Sequence, residues 1–184
     1  MTAILDRLPR TGDLKAEFGA LRGEVRRTGR FGSMVGSSQA MQAVYDQISR
    51  VATTALSVML VGKSGTGKEV AAQTIHQMSA RHKRKLIALN CGAISPKLIE
   101  SKMFGHERGT FTGADRQHIG YFERANGGTL FFWTRSPVEL QVKLLRVLET
   151  GLFMRVGTAR EIVTDVRVIV TRCGRSPCMR RCPS

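Results

Sequence analysis

Residues 56–69 read LSVMLVGKSGTGKE, and the fold follows from how this stretch is parsed. An apolar run from Leu56 to Val61 leads into Gly62, Lys63, Ser64, Gly65, Thr66, Gly67 and Lys68. Glu69 and the residues to Ile75 then read as the opening of a helix. Strand, glycine loop and helix form the layout of a phosphate-binding P-loop. The glycines let backbone N–H groups turn inward around phosphate oxygens, and the helix adds the positive end of its dipole. Lys68 is placed to reach the terminal phosphates as a point charge. Glu69 stands where Ser or Thr usually helps to hold magnesium. The alternative is an ordinary glycine-rich turn; with strand and helix both in place, phosphate binding is the reading adopted.

Upstream of the loop, Ser37-Ser38 opens a helix with Ser as its N-cap. Met41, Val44, Ile48 and Val51 recur at steps of three and four, which marks a core-facing helix. Residues 1–32 have broken periodicity and frequent charge, with Leu14, Phe18 and Leu21 at helical spacing. They read as a linker or the remnant of an upstream domain.

Downstream, Val70, Ile75 and Met78 are expected to face inward along the P-loop helix. Arg81-His82-Lys83-Arg84-Lys85 is a solvated basic turn, Leu86–Asn90 a second strand, and Ser95-Pro96 the start of another helix. Phe104–Gln117 (FGHERGTFTGADRQ) has neither helical nor strand period, and a loop of that length inside a compact domain is usually functional. Tyr121–Ala125 resumes helix, and Gly127-Gly128 turns into a third strand, Thr129–Trp133. Ser136-Pro137-Val138-Glu139 is a capping box; its helix carries Leu140, Leu144, Val147 and Leu148 on one face and ends at Gly151. Phe153–Val156 and Arg160–Val163 form a hairpin, and Asp165–Val170 is a fourth strand. Strands alternating with helices imply an α/β domain over residues 33–170, a parallel sheet flanked by helices.

The 184 residues suffice for one sizeable core. A net charge of +15 raises a nucleic-acid partner as a possibility, but the basic residues are scattered and lack aromatic interleaving. A solvated basic surface is the reading adopted. No run approaches a membrane span or a signal-peptide core, so a cytoplasmic location is expected. Cys91 reads as a buried thiol, and Cys173, Cys178 and Cys182 lack a partner pair at zinc spacing.

Several segments together resemble a known family. Gly62–Glu69, the run FGHERGTFTGA from Phe104 to Ala114, ANGGTLF from Ala125 to Phe131 and ELQVKLLRVL from Glu139 to Leu148 are similar to the central AAA+ domain of bacterial enhancer-binding activators of the sigma-54 RNA polymerase. The GTFTGA loop lies close to the family's GAFTGA signature, and the family accepts Glu after the P-loop Lys. The resemblance implies a P-loop NTPase that forms ring homo-oligomers, hydrolyses ATP with Mg2+ and presses its Phe-Thr loop on sigma-54. Carried over by position, Gly62 to Glu69 bind phosphate, with Val35 and Gly36 near the adenine. Asn90 is the nucleotide switch, and Gly109, Thr110, Phe111, Thr112, Gly113 and Ala114 contact sigma-54.

This chain departs from that pattern in two places. The family's third strand runs into Asp-Glu, which positions magnesium and polarises the attacking water. Here it reads Leu130-Phe131-Phe132-Trp133-Thr134-Arg135-Ser136-Pro137, with no carboxylate. Codons TTC-TGG-ACG-AGA-TCA-CCG, one spelling of Phe132–Pro137, give CTG-GAC-GAG-ATC-ACC (Leu-Asp-Glu-Ile-Thr) when read from the last base of the Phe codon. A small repaired frameshift is therefore the hypothesis for this segment. Sequencing the DNA across Thr129–Val138 tests it; codons unable to spell Asp-Glu in the neighbouring frame would reject it. The second departure is at residues 171–184, whose Arg/Cys/Pro/Ser mix has no apolar period and is expected to be a disordered, out-of-frame tail. The expectation is a truncated domain, incomplete at its C-terminal side. It is expected to lack the sensor Asn, arginine finger, last core strand, helical lid and any DNA-binding module. Hydrolysis is expected to be lost and the metal to be held weakly. Lys63 and Lys102 reverse charges usual in the family.

Overall fold

In the computed structural model, which describes residues 30–133 and 138–173, the chain enters through a small antiparallel ladder. β1 (Arg30–Phe31) pairs with β2 (Met34–Val35). Phe31 is fully buried and stacks on Tyr45 with ring centroids 4.9 Å apart. The domain therefore begins by Arg30, earlier than the boundary expected at 33, because Phe31 is a core residue. Residues 1–29 lie outside the described residues, as do 134–137, which hold Thr134, Arg135 and the Ser136 capping position.

Helix α1 (Gln39–Ala52) starts at Ser38, whose hydroxyl accepts from the Met41 N–H at 3.3 Å. Its buried stripe is Tyr45, Ile48, Ser49 and Ala52, with Met41 packed alongside. Val44, expected inside, is exposed. Steps of three and four from Ile48 reach both Val44 and Tyr45; the larger ring takes the core, and its hydroxyl donates to Gly36 O at 3.1 Å.

The central sheet has four parallel strands, β3 (Val58–Gly62), β4 (Leu86–Asn90), β7 (Thr129–Trp133) and β10 (Arg167–Cys173), in the spatial order β3-β10-β7-β4. α2 (Lys68–Gln77) and α3 (Pro96–Phe104) follow β3 and β4. β5 (Gly105–His106) and β6 (His118–Ile119) pair antiparallel, so the aperiodic stretch is closed at its base by a ladder. α4 (Tyr121–Arg124), α5 (Val138–Thr150) and the hairpin β8 (Leu152–Met154) with β9 (Glu161–Val163) complete the order.

Alternation along β7 divides the core. Leu130 and Phe132 enter one cluster with Ile99, Phe104, Phe122, Leu140, Leu144 and Val147. Phe131 and Trp133 point into the other, with Phe31, Tyr45, Ala72 and Ile75. Helices therefore cover both faces, as a parallel sheet of continuous apolar runs requires. Each buried Phe contributes on the order of 1.5–3 kcal/mol. Leu148, expected on the inner face of α5, is exposed, while Val147 is buried. Gly151 ends that helix at φ +69°, with its N–H donating to Val147 O at 2.9 Å.

The fourth strand runs further than its apolar pattern suggests. Thr171, Arg172 and Cys173 pair with Leu60, Val61 and Gly62 of β3, and Thr171 also pairs with Trp133 of β7. These residues therefore belong to the sheet and not to the expected tail, since β3 supplies ladder partners to all three, and β7 to Thr171, whatever the side chains. Residues 174–184, including Cys178 and Cys182, lie outside the described residues.

Arg167 at the start of β10 is nearly fully buried. Its guanidinium donates to Val51 O at 2.7 Å, Ala52 O at 3.1 Å and Leu56 O at 3.3 Å. It thereby caps the negative C-terminal end of α1 and ties it to the sheet. Burial lowers its pKa, and the charge of Arg81 adds to that.

Candidate functional site

The loop after β3 is built as its sequence suggests. Gly67, at φ +76°, is the N-cap of α2, and a Cβ there would meet nothing within 4 Å. Only glycine holds that left-handed backbone without strain. No side chain caps α2, so the N–H groups of its first turn face the loop. Lys68 curls over the loop, its ammonium donating to Gly62 O at 3.1 Å, to Lys63 O, and to Thr66 Oγ1 at 3.3 Å. Thr66 Oγ1 in turn donates to Lys63 O at 2.8 Å. Lys63, Ser64 and Glu69 are exposed around this cradle.

The carboxyl ends of the sheet border the same loop. Leu60, Thr171, Trp133 and Asn90 lie side by side across the four strands. Gly62, where the loop opens, pairs with Cys173. Trp133 faces the α2 side of the sheet and meets Phe131 edge-on at 4.7 Å. Its aromatic bulk therefore stands at the strand end nearest the place where the resemblance requires acid. Asn90 Oδ1 accepts from the Gly92 N–H at 3.0 Å and caps the turn Cys91–Ala93. Val35 is exposed at the end of β2, and Gly36 packs on Met41 and the Tyr45 hydroxyl. Burial pushes the Cys91 thiol up to about 11, so it is a packed, unreactive group.

The Gly109–Ala114 segment is a turn fastened to its surroundings. Gly109 N–H donates to Ala114 O at 2.8 Å, and Ala114 N–H to Phe111 O at 3.0 Å. Thr110 Oγ1 donates to Glu107 O at 2.9 Å. Thr112 and Gly113 are exposed, whereas Ala114 is buried and closes the turn. Phe111, expected at the tip, is 38% exposed; its ring folds back to meet His106 edge-on at 4.9 Å. His106 stacks on His118 at 5.5 Å and pairs with Ser101 Oγ through Nδ1 at 2.6 Å.

A second loop backs this turn. A Cβ on Gly157 would lie 1.8 Å from Thr110 Cγ2, so the two loops touch. Glu107 N–H donates to Val156 O at 3.1 Å, and Val156 N–H to Gly105 O at 3.0 Å. Arg155 bridges Glu107 at 2.7 Å and Glu123 at 2.7 Å, joining the base of the turn to α4. Hydrogen bonds from Arg155, then from Gln117, hold the Glu107 carboxyl below its ordinary range, and Arg155 is raised by Glu123 and Glu107. Sequence reading missed this triad and the Arg167 cap. Neither leaves a local period, though an acid just before the glycine-flanked turn was a usable signal.

Known proteins were compared with this chain. The family described as the sigma-54 interaction domain matches residues 34–175. The formate hydrogenlyase transcriptional activator FhlA of Escherichia coli is 47% identical over 141 residues, covering 76% of this chain and 20% of its own. The DNA-binding transcriptional regulator NtrC of Proteus hauseri is 48% identical over 138 residues, covering 74% and 29%. The crystal structure of NtrX from Brucella abortus in complex with ATP superposes with a TM-score of 0.68 at 34% identity, covering 94% of this chain and 38% of that one. The chain thus spans less than a third of the length of these two regulators.

Proposed function

The chain belongs to the sigma-54 interaction domain family, and on that premise we propose that it grips ATP at Gly62–Glu69, offers the Gly109–Ala114 turn to sigma-54 and does not hydrolyse the nucleotide. Its place is in the cytoplasmic control of transcription from sigma-54 promoters. One observation carries most of this. β7 ends at Trp133, and no residue from Thr129 to Pro137 is acidic, beside a phosphate loop that is otherwise complete.

Each residue has a distinct part. Backbone N–H groups of Gly62–Gly67 and the first turn of α2 surround phosphate oxygens, and Lys68 swings from its carbonyl partners to a phosphate. Val35 and Gly36 border the base. Asn90 couples the strand end to the turn Cys91–Ala93 and so to α3, which leads into the Phe111 loop. When bound, magnesium supplies charge neutralisation between phosphate oxygens. The donor set here does not fit it, because the strand end is aromatic and no residue from Thr129 to Pro137 is acidic. Phe111 and Thr112 are the groups for sigma-54, and Arg155 positions them through Glu107.

Support also comes from the relatives, which include transcriptional activators, and from NtrX, which was crystallised with ATP. The test is capture of sigma-54 by the full chain, with and without ATP. Retention by the parent chain and loss with Phe111→Ala are expected; equal retention by both would reject the loop's role.

A further inference from the structure

The phosphate loop carries a second lysine at the point where the donor set fails to suit a metal. Lys63 follows Gly62 directly and is exposed on the loop. Its carbonyl accepts from both Lys68 Nζ and Thr66 Oγ1, so the backbone at position 63 is fixed against the cradle. Two ammonium groups therefore belong to one short loop, with Glu69 as its single acid, exposed and screened by solvent. Across the sheet edge stand Asn90, Trp133, Thr171, Arg172 and Cys173, a row with no carboxylate. Arg172, on the strand next to the loop, adds another positive charge.

A triphosphate brought to a P-loop ordinarily shares its charge with a magnesium ion held by a hydroxyl after the Lys and an acid on a neighbouring strand. The strand-end acid is missing here, so the ion loses the protein carboxylate that would hold it there. The charge it would neutralise can be met by the chain's own cations, at a helix N-terminus that favours anions. Resting on the ATP-binding reading above, we infer that this P-loop binds the triphosphate of ATP independently of divalent metal, with Lys63 taking over the neutralising role. Lys63 is a binding residue in this scheme, and no bond is made or broken.

Calorimetric titration of the full chain with ATP, once with excess magnesium and once with excess EDTA, tests this. Affinities agreeing within about threefold are expected. Lys63→Ala should weaken metal-free binding by about tenfold or more, and Lys68→Ala should abolish binding in both buffers. Lys63 is solvent-exposed, and unchanged circular dichroism will show that its variant folds. Binding seen with magnesium but reduced more than about tenfold by EDTA would overturn the inference while leaving ATP binding intact. An unaltered metal-free affinity in Lys63→Ala would overturn the role given to Lys63. Heat in neither buffer would remove the ATP-binding reading itself, and this inference with it.

Discussion

Two single residues fix relations between distant parts of this chain, and both lend themselves to substitution. Arg167 satisfies three carbonyls at the end of α1 and its following turn. Arg167→Met keeps the apolar stem but strips those acceptors of their donor in a buried setting, at a cost of about 2–4 kcal/mol. Chemical denaturation of both proteins measures it, and an unchanged midpoint would show that water replaces the cap. Gly157 sits at φ +87° against Thr110. Gly157→Ala adds left-handed strain of about 1 kcal/mol and a clash that only a displaced Thr110 relieves. The expected result is weakened sigma-54 capture with little loss of thermal stability; wild-type capture would separate the two loops functionally. Neither residue announced itself in the sequence. Arg167 is one polar position in the run DVRVIV, and Gly157 lies between the two strands of a hairpin. Their partners lie far off in the chain, where no periodicity reaches.

Elements were more legible than the contacts between them. β3, β4 and β7 coincide closely with apolar runs, and β7, between two strands, is buried on both faces as such a run requires. β10 outran its apolar stretch, since ladder pairing to β3 extends the strand through Thr171, Arg172 and Cys173, and β7 pairs with Thr171 as well. The Phe111 turn read correctly as an aperiodic, glycine-flanked segment, but its folding onto His106 depends on a ring from the preceding ladder. Two histidines near these elements make stability depend on pH. Burial lowers His76, which shares a hydrogen bond of 2.9 Å with Thr129 Oγ1. Burial, then the charges of Lys102, His106 and Arg124, lowers His118. The folded state thus binds fewer protons than the unfolded chain once pH drops below the ordinary value of about 6.5. Stability is expected to be level above that value and to fall as pH is lowered through it. Melting temperatures across that range would show this, and a rise on acidification would contradict it.

For the whole molecule, the arrangement places β3 at one edge of the sheet, with Met59 and Val61 exposed beside Leu56. An open apolar edge favours association between chains. Sedimentation of the parent chain is expected to show concentration-dependent association, and Met59→Lys, which charges that face without touching the P-loop backbone, to lower it; an identical profile for the two would clear the edge of blame. The larger question joins the two ends of the site. The glycine loop after β3, proposed above to hold phosphate, faces a strand that ends in Trp133, with no acid from Thr129 to Pro137. Fold and family were legible because glycine spacing and the GTFTGA turn are dense signals. Whether the grip has been separated from turnover is a matter of chemistry at the strand end. The direct measurement is phosphate release from ATP by the full chain with magnesium, at nucleotide concentrations where calorimetry records binding. Saturable binding with release no faster than in protein-free buffer is the expected result. Sustained magnesium-dependent release, lost in Lys68→Ala, would contradict it.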